Sequence, residues 1–166
     1  AVLKNLNSTE GRNPQAELTL VSGLLFGTTS SGGSSNSGTV FALDLNGGGF
    51  SVVKHFTSAN GSKPYAGLIS AGSNLLGTGY NGGPFDKGVI FRLELAPALS
   101  LPQAGGMIDL SWTAIPGFAY QVQSKASLND PTWTNYVGPI TATNTVMTFP
   151  GLRDDPEQYY RVILQP

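Results

Sequence analysis

The fold is decided by an apolar stretch that occurs twice, as GTVFALDL at residues 38–45 and as GVIFRLEL at residues 88–95. Phe41 and Leu43 alternate with other residues in the first copy, and Phe91 and Leu93 do so in the second. An apolar residue at every second position places one side of a β-strand against a core. The stretch therefore predicts a half-buried strand that the chain uses twice.

The duplicated strand belongs to a longer internal repeat. A shift of fifty places residues 1–49 on 51–99 without a gap, and 16 of the 49 aligned positions are identical. Most identities are glycine or apolar residues, which fix backbone shape and core packing. Turn sequences such as 46–49 and 60–64 separate short apolar runs, and we expect four short strands in each repeat. The pattern predicts an all-β, propeller-like array of kelch-length repeats.

The ordered motifs of this repeat resemble a known extracellular family. They read GTTSSGG at 27–33, GTVFALD at 38–44, FSVVKHF at 50–56 and NGSKPYAGL at 60–68. They resemble the Gloeo-Verruco extracellular repeat over about residues 1–95. The resemblance implies a β repeat fold in a secreted bacterial protein, and it implies no catalytic residues. Two repeats, 1–50 and 51–95, are fewer than the about four to eight blades of a closed propeller.

A second domain is predicted after a change of composition at residues 96–98. Residues 99–166 contain both tryptophans and most tyrosines, and their alternating runs predict a small fibronectin- or immunoglobulin-like β-sandwich. The predicted strands are Met107–Thr113, Ala119–Lys125, Thr132–Val137, Thr145–Phe149 and Tyr159–Leu164. The aromatic motifs, from LSW at 110–112 to QYYRV at 158–162, resemble the fibronectin-like C-terminal module of Verrucomicrobia-type secreted proteins.

Composition argues against several classes of function. Nine Lys and Arg stand against ten Asp and Glu, so we expect neither a nucleic-acid partner nor an anionic membrane surface. Absence of cysteine excludes disulfides and thiolate sites, and the single histidine excludes a His-pair metal site. No apolar run reaches the about 18 residues of a membrane span, so no membrane insertion is expected. Low charge and a first residue Ala1 favour an extracellular or cell-surface protein after signal-peptide removal, with a fragment as the alternative.

Few residues are candidates for chemistry. His55 lacks a nucleophile and an orienting carboxylate, so we expect an outward-facing polar residue. Asp44 and Glu94 could in principle flank a glycosidic bond, but their shared repeat position already explains their recurrence. No enzyme activity and no cofactor is therefore predicted.

Three further sets of residues could bind a ligand or carry a modification: an acidic cluster, two glycosylation patterns and a group of aromatic side chains. The acidic residues Asp154, Asp155 and Glu157 are a weak Ca²⁺ candidate, since EF-hand spacing is missing and a solvated turn explains them better. Asn7 and Asn60 begin Asn-x-Ser/Thr glycosylation patterns. Aromatic side chains could stack on sugars, although most are expected in the core; they are Tyr80, Trp112, Trp133, Tyr136, Tyr159 and Tyr160.

The functional hypothesis comes from the two ends of the repeat array. Residues 1–7 align with the predicted strand at 51–57, so the array begins in mid-blade and residues 1–7 are predicted to form an edge strand. Such a strand can complete the sheet of a neighbouring copy, and a head-to-tail contact that does not close builds a fibre. The interface candidates are Val2, Lys4, Leu6 and Tyr80.

We therefore predict a non-enzymatic, secreted structural protein whose partners are copies of itself, in a filament or surface layer. The alternative is a carbohydrate-binding or adhesion module of a larger cell-surface protein, with surface glycans as partners. A third interpretation of the same two repeats is that the chain is a monomer or a fragment of a longer array.

Overall fold

The protein is described by a computed structural model that covers residues 1–72, 74–95, 97, 99–100, 103–104, 107–153 and 158–165. The chain divides into two compact units, residues 1–95 and 96–166. Every regular element among the described residues is a β-strand in an antiparallel sheet, which confirms the all-β fold. Within the same residues, no helix is long and apolar enough to cross a membrane.

The first sheet of the first unit, which we call the first blade, has four strands in chain order. They are β1 (Thr19–Val21), β2 (Leu24–Thr29), β3 (Thr39–Asp44) and β4 (Ser51–His55). Strands β1 to β3 come from the first repeat, whereas β4 is the start of the second repeat. Lys54 of β4 lies opposite Val40 of β3. The first blade is thus completed by the repeat that follows it.

The second sheet, which we call the second blade, has three strands. They are β5 (Ile69–Ala71), β6 (Asn74–Gly79) and β7 (Val89–Glu94), in that order. By the shift of fifty, its fourth strand would lie near residues 101–105. The described residues there, Gln103–Ala104, instead pair with a strand of the second unit. The prediction of four strands in each repeat is therefore confirmed for the second repeat, which contains β4 to β7, although β4 pairs with the first blade. It was wrong for the first repeat, which contains only β1 to β3.

The prediction of an edge strand at residues 1–7 was also wrong. These residues form no strand, and the chain turns at residues 7–10, where Asn7 Oδ1 accepts the amides of Thr9 and Glu10 at 3.0 and 3.1 Å. A strand needs a neighbouring edge to satisfy its amide and carbonyl groups. The segment has its counterpart in β4, which forms because β3 lies beside it.

The turn sequence at residues 60–64 predicts a strand directly after it, at residues 65–70, but the strand that forms there is shorter. It begins only at Ile69, because the preceding residues pack on the first blade. The carbonyls of Ala66 and Leu68 accept hydrogen bonds from the side chains of Thr28 and Thr19. Contact between repeats therefore replaces ladder pairing in this segment.

The second unit contains two antiparallel sheets. Its strands are β8 (Leu99–Ser100), β9 (Gln103–Ala104), β10 (Met107–Thr113), β11 (Ala119–Lys125), β12 (Thr134–Thr141), β13 (Val146–Arg153) and β14 (Tyr159–Leu164). One sheet has the order β13-β10-β8, with β9 also paired to β10, and the other has the order β12-β11-β14. Trp112 of β10 and Tyr120 of β11 are both 1% exposed, with ring centroids 6.3 Å apart. The two sheets therefore share one aromatic core.

Candidate assembly surface

The residues considered for chemistry have local structural partners. His55 is exposed at the end of β4, and its Nδ1 accepts a hydrogen bond from the Ser34 amide at 3.1 Å. Asp44 Oδ1 accepts the amides of Asn46 and Gly48 at 2.7 and 2.8 Å, which fixes the turn after β3. Both side chains thus hold loops of the first blade in place.

The other acidic candidates add no cluster to the described chain. Glu94 pairs with Arg92 of the same strand at 3.0 Å. Asp154, Asp155 and Glu157 lie outside the described residues. Among the residues that the structure does describe, no group of three His, Asp or Glu side chains could hold a metal ion. The features that distinguish the two repeats lie on the surfaces of the blades.

The first blade has one face that the second repeat covers, and we call it the downstream face. Its side chains are Thr19, Leu24, Phe26, Thr28, Val40 and Ala42. Five of them are at most 3% exposed, and Thr19 is half-buried. The face is therefore part of the core of the first unit.

Residues 64–68 of the second repeat contact this face through side-chain hydrogen bonds. Thr28 Oγ1 donates to the Ala66 carbonyl at 3.2 Å, and Thr19 Oγ1 donates to the Leu68 carbonyl at 2.6 Å. Because the two hydroxyls stand on adjacent strands, they fix the segment across the sheet. The contact between the repeats therefore combines apolar packing with hydrogen bonds that fix where residues 64–68 lie on the face.

Backbone hydrogen bonds join the same two repeats at the end of the blade. The Phe56 amide donates to the Gly38 carbonyl at 3.0 Å, and the Lys63 amide donates to the Ser37 carbonyl at 2.9 Å. Phe56 is fully buried and its ring meets Phe91 of the second blade at 4.9 Å between centroids. The segment that supplies β4 therefore continues directly into the core of the next blade.

The corresponding face of the second blade is mostly exposed, with four of its six side chains in solvent and Asn74 and Leu76 half-buried. Its side chains, each fifty positions later, are Ile69, Asn74, Leu76, Thr78, Ile90 and Arg92, and we call them the open downstream face. Ile90 is 85% exposed, whereas Val40 at the matching position is 0% exposed. The two blades share their strand pattern, so the difference arises because no further repeat among the described residues covers the second blade.

The interface candidates Val2, Lys4 and Leu6 lie on one segment. Val2 is 76% exposed, while Lys4 and Leu6 are half-buried against the opposite face of the first blade. Lys4 and Leu6 help to line an apolar cavity of about 260 Å³. The cavity is lined by Leu3, Lys4, Leu6, Pro14, Ala16, Leu18, Phe41, Leu43 and Phe50. The segment thus packs loosely on its own blade.

One ion pair holds this segment to the chain. Lys4 Nζ donates to Glu10 Oε1 at 2.7 Å and lies 4.6 Å from the centre of the Phe50 ring. The hydrogen bond from the Lys4 ammonium lowers the pKa of Glu10 below its ordinary value. A lowered pKa means that the folded chain favours the carboxylate, so the contact is present at neutral pH and is lost as pH falls through that pKa.

The titration of Glu10 tests this contact. We expect a carboxyl NMR titration of the full chain to give Glu10 a midpoint below that of an ordinary glutamate. In the Lys4→Ala variant the midpoint should rise, because the largest cause of the shift is removed. An unchanged Glu10 midpoint in the variant would contradict the assignment.

Tyr80, the fourth interface candidate, belongs to a separate patch. It follows β6, is 68% exposed, and meets Tyr65 edge-on at 5.6 Å between ring centroids. Tyr65 is itself 45% exposed. The matching positions of the first repeat hold Gln15 and Ser30, so this aromatic pair is particular to the second repeat.

The aromatic candidates of the second unit lie in two settings. Trp112 is buried between the sheets. Trp133 has Lys125 Nζ at 4.9 Å and Arg161 Cζ at 4.5 Å from its ring centre, so cations already occupy its π surface. Tyr136 packs against Phe149 and Tyr160, with centroids 6.2 and 5.4 Å away, and Tyr159 is half-buried on β14.

Sequence reasoning did not identify the open downstream face. It considered the alternation of Phe41, Leu43 and their copies, which marks one side of each blade. The signal for the other side was also present, since Phe26 and Val40 have apolar counterparts in Leu76 and Ile90. Apolar residues on both sides of a strand are typical of sheets buried on both faces.

These features define a class of protein: an array of β blades, about fifty residues each, in which a repeat completes the blade before it. The chain belongs to the Gloeobacter/Verrucomicrobia repeat family, whose pattern matches residues 1–101. The family expected from the sequence motifs is thereby confirmed. No curated protein and no solved structure matches the chain.

Proposed function

We propose that this chain is a non-enzymatic, secreted structural protein that assembles head to tail into a filament or surface layer. Residues 1–5 of one copy pair with the exposed edge of β7 in another copy. The added strand takes the place that β4 takes in the first blade. Such strand addition uses main-chain hydrogen bonds for affinity and side-chain pockets for register.

A single observation carries this proposal. The edge of β3 is paired with β4, whereas the equivalent edge of β7 has no strand beside it among the described residues. Residues 1–5 are the sequence counterpart of β4 and have no sheet of their own. Within the described part of the chain there is therefore one unpaired donor segment and one unpaired acceptor edge. A donor and an acceptor at different places give a heterologous contact, which extends without closing.

Charge is compatible with close packing of copies. The net charge of −1 gives little repulsion between them. On the open edge, Arg92 and Glu94 form an exposed ion pair at 3.0 Å. Charged residues on an edge strand limit nonspecific association. The charged pair therefore keeps the β7 edge of the free chain from associating nonspecifically, and it favours pairing with the matching segment, residues 1–5.

The Lys4→Pro variant tests strand addition. Proline removes an amide donor, so a strand carrying it in the ladder pairs poorly. We expect the unmodified chain to form filaments in negative-stain electron microscopy and large species in light scattering. Lys4→Pro should remain as single chains. The matched control, Lys4→Ala, also removes the ion pair with Glu10 but keeps the backbone amide, and it should still assemble.

Two results would contradict the proposal. One is a wild-type chain that stays monomeric at high concentration. The other is a Lys4→Pro chain that assembles as the wild type does. A monomeric wild type would move attention to the exposed pair Tyr65 and Tyr80, which could stack on a glycan as an adhesion module would require.

A further inference from the structure

We infer that the open downstream face of the second blade binds the first repeat of another copy, through the same contacts that join the two repeats within one chain. This inference rests on the proposed function and adds a partner surface to it. The occupant is residues 1–18 of a second copy. The interface between repeats within the chain provides its template.

The hydrogen bonds of the template have equivalents on the exposed surfaces. The threonine that donates at position 28 is retained at position 78, where Thr78 is exposed. The bond from Thr28 Oγ1 to the Ala66 carbonyl therefore becomes a bond from Thr78 Oγ1 to the Ala16 carbonyl of the other copy. The acceptor segment is matched as well, because alanine occupies both 16 and 66.

The backbone contacts transfer in the same way. Within the chain, Phe56 and Lys63 donate their amides to the carbonyls of Gly38 and Ser37. Their equivalents between copies are the amides of Leu6 and Asn13 with the carbonyls of Gly88 and Lys87. Among the described residues, these two carbonyls accept no backbone hydrogen bond outside the sheets. They are therefore available to a second copy.

A close contact between proline and glycine is preserved on both sides. Pro64 Cδ lies 2.7 Å from the place that a Cβ on Gly38 would occupy, so a side chain there would clash. The equivalents are Pro14 and Gly88, and both residue types are retained. Gly88 also has the same backbone angle as Gly38, with φ at +98° in each. The socket for the proline is thus already formed on the second repeat.

One pair of positions changes together. In the template, the Ser34 amide donates to His55 Nδ1 at 3.1 Å. The equivalent of Ser34 is Pro84, which has no amide hydrogen, and the equivalent of His55 is Asn5. Donor and acceptor are therefore replaced together, so the contact between copies leaves no imidazole without its partner.

The remaining sequence differences between the two faces are expected for a face that is exposed to water before assembly. Leu24 is replaced by Asn74 and Ala42 by Arg92, which makes the open downstream face more polar than its template. Thr19 is replaced by Ile69, so the bond to the Leu68 carbonyl has no equivalent. The contact between copies is consequently similar in geometry but contains two side-chain hydrogen bonds fewer, the equivalents of those made by Thr19 and His55.

The template also fixes the register, which a disulfide can test. Val40 lies opposite Lys54, so Ile90 of one copy should lie opposite Lys4 of the next. Opposed residues in an antiparallel pair have Cα atoms about 4.5–5.5 Å apart, which is within the range of a disulfide. The chain contains no cysteine, so introduced cysteines have no competitors.

Full-length Lys4→Cys and Ile90→Cys chains are mixed under assembly conditions and oxidised, and the linked peptides are identified by mass spectrometry. We expect a disulfide that joins position 4 of one chain to position 90 of another in most of the assembled material. Lys4→Cys mixed with Arg92→Cys is the off-register control and should link far less. A single chain carrying both Val40→Cys and Lys54→Cys is the reference, and should form the equivalent link internally.

The outcomes separate this inference from the proposed function. Filaments that lack the link between positions 4 and 90, while the internal reference link forms, would overturn both the strand addition of the proposed function and this inference. Ile69→Asp changes the open downstream face at β5, away from the edge of β7. Filaments of this variant that form as readily as the wild type and keep the 4–90 link would overturn the inference and leave strand addition standing. Filaments that link 4 to 92 as efficiently as 4 to 90 would also overturn it. Absence of assembly by wild-type chains would overturn both. A selective link between 4 and 90 in filaments, together with impaired assembly of Ile69→Asp, supports both.

Discussion

Val40→Asp is expected to unfold the first unit, whereas Ile90→Asp should leave the free chain folded and abolish assembly. The two residues occupy the same position of successive repeats, but Val40 is 0% exposed and Ile90 is 85% exposed. An unpaired carboxylate at the buried position costs more than about 3 kcal/mol. For a unit of this size, each kcal/mol lowers the melting temperature by about 4–8 °C. At the exposed position the change should stay within about 0.5 kcal/mol.

A carboxylate at position 90 is tolerated in the free chain but should strongly weaken assembly. If the next copy covers Ile90 as the second repeat covers Val40, the same carboxylate becomes buried in the assembled state. A penalty of about 3 kcal/mol weakens association by about 100-fold. Ile90→Val, which introduces the residue found at position 40, is the matched control and should assemble normally. Thermal unfolding and light scattering of the four chains check both halves of this prediction.

A different result at either position would be informative. An Ile90→Asp chain that assembles with wild-type affinity would show that the open downstream face remains in solvent. A Val40→Asp chain with wild-type stability would show that the second repeat does not cover the first blade. The two positions thus test one packing arrangement, once within the chain and once between chains.

Strand positions in the second unit followed from alternation, and their errors have a physical cause. Three predicted strands, at 107–113, 119–125 and 159–164, have the observed bounds. The predicted ends of β12 and β13 came before Pro139 and Pro150, but both strands continue past the proline. Both lie at the edges of their sheets, where a missing amide hydrogen is tolerated. A local pattern does not reveal which strands are at an edge.

The first unit shows a second limit of sequence reasoning. The repeat predicted that residues 1–7 and 51–57 are equivalent, since valine and lysine recur at matching positions of the two segments. Only 51–55 became a strand, because strand formation depends on an edge supplied elsewhere in the chain. The same reasoning missed Ile90, whose exposure depends on a neighbouring repeat and not on its own strand. Patterns within a repeat predict its strands, whereas contacts between repeats decide which of them are completed.

Trp112→Ala is expected to cost the second unit about 3–5 kcal/mol, while Trp112→Phe should cost far less. The indole is 1% exposed and packs with Tyr120 across the two sheets. Truncation to alanine leaves a large cavity in a unit with a small core. The phenylalanine variant keeps an aromatic ring and removes the indole N–H, which is buried without a hydrogen-bond partner among the described residues. Losing an unsatisfied donor offsets part of the lost packing.

Tyr120 provides an independent readout of the same core. Burial raises the pKa of its hydroxyl, which also accepts the Ile115 amide at 2.8 Å. In folded Trp112→Phe, Tyr120 should still titrate above an ordinary tyrosine, whereas opening the core in Trp112→Ala should bring it back towards that value. Equal stability of the two variants would contradict the prediction, because the cavity would then contribute nothing beyond the loss of the N–H. Denaturant unfolding followed by near-ultraviolet circular dichroism distinguishes these cases.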